Sequence, residues 1–239
     1  MEQQFKAFID DLKETHGENL AAVILYGSAA AGDFIARESD YNLLIALRKI
    51  TPEDLRKAHA CMREWHKLGH PVPVYFTVGE LRNAADVFPI EFHFMESARK
   101  VLYGQDVLAG LKISDDFLRH QTEYELRSKL IKLRRAYIQA STSTERLADL
   151  MANSLTSFAA LFRAVLLLHG LTPPVTKHEI VALTVEHLGI DGNSFEKIFH
   201  IRENNFEHTL DEVSANRLFT AYMEQIENVI ATVDELGKS

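Results

Sequence analysis

Apolar side chains along this chain fall at helical spacing or in short continuous runs, and the runs that read as strands stop before residue 113. Phe5, Phe8, Ile9 and Leu12 lie three and four apart, which predicts a helix over residues 2–16. Leu20–Tyr26 is a short apolar run that stops at Gly27, the pattern of a buried strand, and Tyr41–Leu47 is a second such run. Thr51 and Pro52 supply the N-cap and first turn of a helix extending to about Leu68. The segment PVPVYFTV predicts a third strand, placed at an edge because Pro71 and Pro73 remove backbone donors. Short helices are expected over residues 79–98, and Lys100–Tyr103 adds a small strand.

After that point only the helical period remains. Ser114, Asp115 and Asp116 open a long helix to about Ala140, with Leu118, Leu126, Leu130, Leu133 and Tyr137 on one face. The stretch STSTE breaks it and caps the next helix, roughly Glu145–His169, which Gly170 and the Pro173–Pro174 pair end. Helices near 176–188, 193–204 and 211–236 complete the chain. The expected class is α+β: an α/β module with a mixed sheet over residues 1–112, followed by an all-α bundle over residues 113–239.

Composition narrows the partners. A chain of 239 residues with 46% hydrophobic and 25% charged residues has the make-up of an ordinary globular protein. Its net charge of -8 argues against a protein that coats nucleic acid or anionic membrane. One cysteine, Cys61, leaves no intrachain disulfide and no cysteine-based zinc cluster. The N-terminal segment MEQQFKAFIDDLKETHG is charged and amphipathic, unlike a signal peptide, and uninterrupted apolar runs such as AVLLL are too short to span a bilayer. The expectation is a cytoplasmic protein with no membrane partner. No His-Glu-x-x-His pattern occurs, so zinc is not expected. Trp65 and the phenylalanines read as core.

The chemistry concentrates in LYGSAAAGDFIARESDYNLLIAL. Gly27, after a buried strand, permits a backbone conformation or a close approach that a side chain would block. Ser28 offers a hydroxyl and an amide to a phosphate and is placed to cap a helix through Ala29–Ala31, whose free N–H groups favour an anion. Asp40 and Asn42 flank one residue at the start of the second strand, so their oxygens share a face. Asp33, after Gly32, reads as a turn residue.

These residues resemble the signature of the nucleotidyltransferase superfamily, the polymerase-beta-like enzymes that include the aminoglycoside nucleotidyltransferases. In that family an apolar strand, a Gly-Ser loop and an Asp-x-Asp at the start of the next strand follow in this order, here Gly27, Ser28, Asp40 and Asn42. The resemblance implies a nucleoside triphosphate substrate, Mg²⁺ held at Asp40 and Asn42, and a small-molecule or protein hydroxyl as acceptor. It also implies a third carboxylate on a following strand. PVPVYFTV contains none, so Glu91 is the best substitute, with Glu80 a second option; Glu80 also reads as a first-turn helix residue and Glu91 as a partner of Arg82 or Arg99. An asparagine brings no charge, and the loss of one anion weakens the second metal above all. The expectation is an intact fold with an incomplete acidic set, in which two-metal transfer is slow or absent and nucleotide binding remains; the alternative is a catalytically inactive relative that binds a nucleotide or a protein partner.

The segment from Ser114 to Leu236 resembles, in length and position, the helical bundle with which the aminoglycoside enzymes bind their acceptor. Arg119, Arg127, Arg134 and Arg135 could hold phosphates there, but Glu123 and Glu125 nearby favour a solvated, ion-paired face. Arg202 and His208 have the spacing of the motif of the HEPN ribonucleases, helical domains often partnered with small nucleotidyltransferases, and a HEPN-type ribonuclease or toxin–antitoxin component is a further alternative. The Asn that usually follows the Arg is absent, and the segment reads more simply as a helix end and a polar loop. A homodimer through the helices is an option that no heptad seam in the sequence supports.

Overall fold

The structure is a computed structural model, described here for residues 2–31, 41–113, 115–174, 176–203 and 210–236. The chain divides into two compact units, Met1–Ser114 and Asp115–Ser239.

In the first unit, α1 (Glu2–His16) and one 3-10 turn lead into β1 (Leu20–Tyr26). A four-residue helix, α2 (Ser28–Ala31), follows, and β2 (Asn42–Leu47) returns antiparallel to β1. Thr51 caps α3 (Pro52–Lys57) with a reciprocal pair: its hydroxyl accepts from the Asp54 amide, and its own amide donates to the Asp54 carboxylate. The single helix expected up to Leu68 is two, because α4 (His59–Lys67) starts anew after a break at Ala58. Only α4 buries side chains, namely Cys61, Met62 and Trp65, so the bend lets this segment lie on the sheet while α3 stays out. Then come β3 (Val74–Thr77), α5 (Val78–Asn83), α6 (Pro89–Ser97) and β4 (Arg99–Gly104). The sheet order is β3-β2-β1-β4, with β2 and β3 parallel and the other pairs antiparallel, so β3 is an edge strand as its prolines predict.

Alternation along the two central strands feeds two cores. Leu25, Leu43, Ile45 and Leu47 join Phe5, Phe8 and Trp65 on one face. Ala22, Ile24, Leu44 and Ala46 join Leu81, Phe92 and Met95 on the other. Burying each large apolar side chain contributes about 1.5–3 kcal/mol. Trp65 is 1% exposed, stacks on Phe8 at 4.3 Å between centroids and donates its indole N–H to the Pro71 carbonyl. At Gly104, with φ 77°, a Cβ would lie 2.0 Å from the Ala21 carbonyl oxygen, so β1 and β4 pair only because this residue has no side chain.

The second unit contains α7 (Asp115–Ala140), α8 (Thr144–Leu168), α9 (Lys177–Leu188), α10 (Asn193–Glu203) and α11 (Glu212–Glu235). By length and composition α8 could cross a membrane, with a mean hydropathy of 1.5. Its apolarity has a simpler cause: α8 packs against α7, α9, α10 and α11, and its buried residues run from Leu147 to Leu166. Phe158, Phe162, Phe195, Phe219 and Tyr222 form the aromatic centre of this bundle. Thr176 caps α9 in a box with Glu179, Gly189 ends it in the left-handed region, and Asp211 caps α11. A mixed four-stranded sheet with helices, followed by a helical region, is the α+β class the sequence predicts.

Candidate active site

The sheet brings its chemistry to one end. Tyr26, the last residue of β1, is paired with Asn42 on β2 and with Arg99 on β4. Gly27 follows at φ 81°, and its amide donates to the Ala98 carbonyl at 3.0 Å. The φ value is one that side chains resist, so glycine sets the turn out of β1. The α2 turn starts at Ser28 itself, closed by the Ala30 amide donating to the Gly27 carbonyl, so Gly27 rather than Ser28 stands at the position before the helix.

Asn42 lies on the same face as Leu44 and Ala46 by strand alternation. Its amide nitrogen is 3.6 Å from the point a Cβ on Gly27 would occupy. The strand that opens with Asn42 is thus packed directly against the Gly-Ser turn. Asp40 and Asp33 lie outside the described residues, as does the side chain of Ser28.

The acid candidates separate. Glu91 is on the first turn of α6, exposed, while Phe92 and Met95 of the same helix pack on the Asn42 face of the sheet. Burial pushes the Tyr26 phenol above its ordinary pKa, and the negative charge of Glu91 adds to the rise. Glu91 is therefore close enough to this end of the sheet to be felt there. Glu80 is not: it follows Thr77, which is paired with Leu47, about 17 Å along β2 from Asn42. Its carboxylate accepts from the Thr77 amide at 2.7 Å, a helix cap and nothing more. Arg99 is held by Asp106 at 2.9 Å and donates to the Glu96 carbonyl, so this cation is neutralised by Asp106.

A search of solved structures gives a likeness over almost the whole chain. It matches a spectinomycin adenyltransferase, AAD(9), from Enterococcus faecialis, solved with ATP and spectinomycin. The TM-score is 0.60 over 96% of this chain and 99% of that one, at 10% sequence identity. The chain shares the fold of that adenyltransferase. No protein-family model matches the chain, and no curated protein matches its sequence.

Elsewhere in the chain, most charges flagged by the sequence are engaged in structure. Glu123 accepts from Arg119 at 3.0 Å and from Arg127 at 2.7 Å, and Glu227 accepts from Arg134 at 2.6 Å. Arg202 donates to the Thr156 hydroxyl at 2.9 Å, and His208 lies outside the described residues. His66 and His70 stand four apart, a metal-ligand spacing the sequence reading passed over. The helix stops at Lys67, and the His66 ring nitrogen donates to the His70 carbonyl at 3.1 Å instead. Among the described residues no group of three or more His, Cys, Asp or Glu side chains could hold a metal.

Tyr26 and Arg163 escaped the sequence reading as site candidates. Tyr26 stands between Asn42 and Arg99 only because β1 sits between β2 and β4, a pairing between distant segments. In the second unit, Arg163 is a half-buried guanidinium on the apolar α8, and desolvation lowers its pKa. An arginine inside an apolar helical run was the signal available for it.

Proposed function

We propose that this protein binds a nucleoside triphosphate at the Gly27–Asn42 end of its sheet and transfers the nucleoside monophosphate to a hydroxyl of a small molecule. The observation that carries the reading is the close approach of the Asn42 side chain to the Gly27 turn at the mouth of the central strand pair, with the charge of Glu91 felt at Tyr26 beside them. The ATP and spectinomycin bound by the AAD(9) neighbour support ATP as donor and a small molecule, rather than a protein, as acceptor.

In this reading the acceptor oxygen attacks the α-phosphorus, the bond to pyrophosphate breaks, and Glu91 takes the acceptor proton. Ser28 and the α2 amides hold the phosphates. The donor set suits Mg²⁺, a hard cation that prefers oxygen; Asp40 and the Asn42 carbonyl are the residues that would hold it, and there it would supply positive charge to the phosphates. A neutral amide in place of a carboxylate suits one cation better than two.

The test is isothermal titration of the whole protein with ATP, GTP, CTP and UTP, with and without Mg²⁺, on the natural chain, Asp40→Ala and Asn42→Asp. We expect Mg²⁺-dependent binding, loss of it in Asp40→Ala, and about tenfold tighter binding in Asn42→Asp from the added charge. Silence from all four nucleotides with a folded protein rejects the proposal.

A second reading, a nucleotide binder without turnover, is favoured by one observation: the side chain beside Gly27 at the start of β2 is Asn42, a neutral amide. Pyrophosphate release separates the two. A natural chain that binds but releases none, beside an Asn42→Asp variant that does, selects the second.

A further inference from the structure

A groove of about 870 Å³ lies wholly within the helical unit, between α10 and α11. Its walls are apolar: Leu218 is buried, and Ile201 and Ala221 are half-buried. Three cationic or protonatable side chains stand exposed around its mouth: Lys197 and His200, one turn apart on α10, and Arg217 on α11. None of the three has an ion-pair or hydrogen-bond partner among the described residues. The one acid among the described lining residues, Asp191, is spent on the start of α10: its carboxylate accepts from the Asn193 amide at 2.9 Å and the Asn193 side chain at 2.7 Å.

The lining also contains Ser194, which is 3% exposed and whose hydroxyl has no hydrogen-bond partner. A buried hydroxyl left without a partner is costly and therefore uncommon. Asp191 and Asn193 bond to each other and the Ser214 hydroxyl donates to Asp211, so the lining's other polar side chains still open to a ligand are the three at the mouth, and the missing partner has the character of an acceptor. The apolar walls call for a body, and the cations and the hydroxyl call for an anionic head.

We propose that this groove binds a small organic anion: an apolar body of a few carbons against Leu218, Ile201 and Ala221, with a phosphate or carboxylate head held by Arg217 and Lys197 and accepting from the Ser194 hydroxyl. The described lining comes from the helical unit alone, and the proposal stands whether or not Gly27 and Asn42 bind a nucleotide.

The test is calorimetric titration of the whole protein with hexyl phosphate and with heptanoate, against hexanol and inorganic phosphate as controls. We expect one site per chain for at least one of the two anions, binding about tenfold weaker for inorganic phosphate, which lacks the body, and none for hexanol, which lacks the charge. Arg217→Gln and Lys197→Met should each weaken binding about tenfold, and Ser194→Ala about threefold to tenfold. Asp40→Ala should leave it unchanged, which separates this site from the nucleotide site. If Arg217→Gln does not fold, as judged by circular dichroism, Lys197→Met alone decides, since its side chain is exposed. Two results overturn the proposal: no binding of either anion to the folded protein, or binding that the variants at Arg217 and Lys197 leave intact. Inorganic phosphate binding as tightly as hexyl phosphate also overturns it, because the apolar walls would then contribute nothing.

Discussion

The two units of this chain place their polar groups by different rules. In the sheet unit, a period of two and an antiparallel register fix which side chains share one end: Tyr26, Asn42 and Arg99 are neighbours by pairing alone. In the helical unit, packing around α8 fixes faces but not positions, and most of its flagged cations are tied into ion pairs such as Arg119–Glu123. A departure such as Asn42 can therefore be read as chemistry, because the strand leaves it one place to be. A cation on α7 or α11 has many neighbours it could serve, and only the structure says which.

Core truncation gives the largest effect and the most direct way to break this contrast. Phe162 on α8 and Leu44 on β2 are both 0% exposed, one in each unit. Phe162→Ala should cost about 3–5 kcal/mol and Leu44→Ala about 2–5 kcal/mol. If the units are separate cooperative blocks, hydrogen exchange will show Phe162→Ala loosening α8–α11 while β1 and β2 keep their protection, and Leu44→Ala the converse. Equal loosening of both units by either variant would mean that the division into two is one of shape and not of stability.

Two glycines sharpen the picture within the sheet unit. Gly27 and Gly104 both have positive φ, but a Cβ at Gly27 meets only the Asn42 amide at 3.6 Å, an ordinary contact. Gly27→Ala should cost the backbone term alone, about 1–2 kcal/mol. Gly104→Ala adds an overlap with the Ala21 carbonyl that only a shift of β4 relieves, so its cost should be clearly larger. Denaturant midpoints check the order; a Gly27→Ala as damaging as Gly104→Ala would show that the turn at Gly27 is more tightly packed than its contacts indicate.

The sequence showed these elements where periodicity was strong and fell short where topology decided. β1 and β2 were legible as apolar runs, the caps of α3 at Thr51 and of α8 within STSTE as short polar signals, and the change to an all-helical pattern as the end of the strand-like runs. The break at Ala58 was not legible, since nothing in the residues around it interrupts a helix; it arises because only α4 has a face to bury. At the candidate site, Gly27 and Asn42 were legible because they are close in sequence. The separation of Glu91 from Glu80 was not, because it depends on β3 running parallel to β2, which puts Glu80 at the far end. The Ser194 groove gave no sequence signal: its residues come from two helices whose pairing is a matter of packing.

The smallest effect tests both units with one variable. Burial lowers the pKa of His16, the positive Lys57 lowers it further, and Asp54 partly opposes the shift. In the second unit burial likewise lowers the pKa of His169, and His187, with ring centroids 4.8 Å away, adds to it. A histidine whose folded pKa lies below the unfolded value, about 6.5, binds fewer protons when folded. Its stabilisation is therefore complete above that value and is lost as the pH falls through it. Denaturant midpoints should hold steady from pH 8 to about pH 7 and decline toward pH 5. His16→Gln should flatten the part of the decline that belongs to the sheet unit, and His187→Gln should reduce the part that belongs to the helical unit by removing the second charge. His16 is 7% exposed, with one ring nitrogen facing the Tyr75 hydroxyl at 3.4 Å and the other without a partner, so a proton there has nowhere to go but into the core. His169 is only half-buried. The sheet unit should accordingly show the steeper dependence on pH. A steeper decline in the helical unit would mean that the His169–His187 pair, rather than burial, governs how these histidines respond to acid.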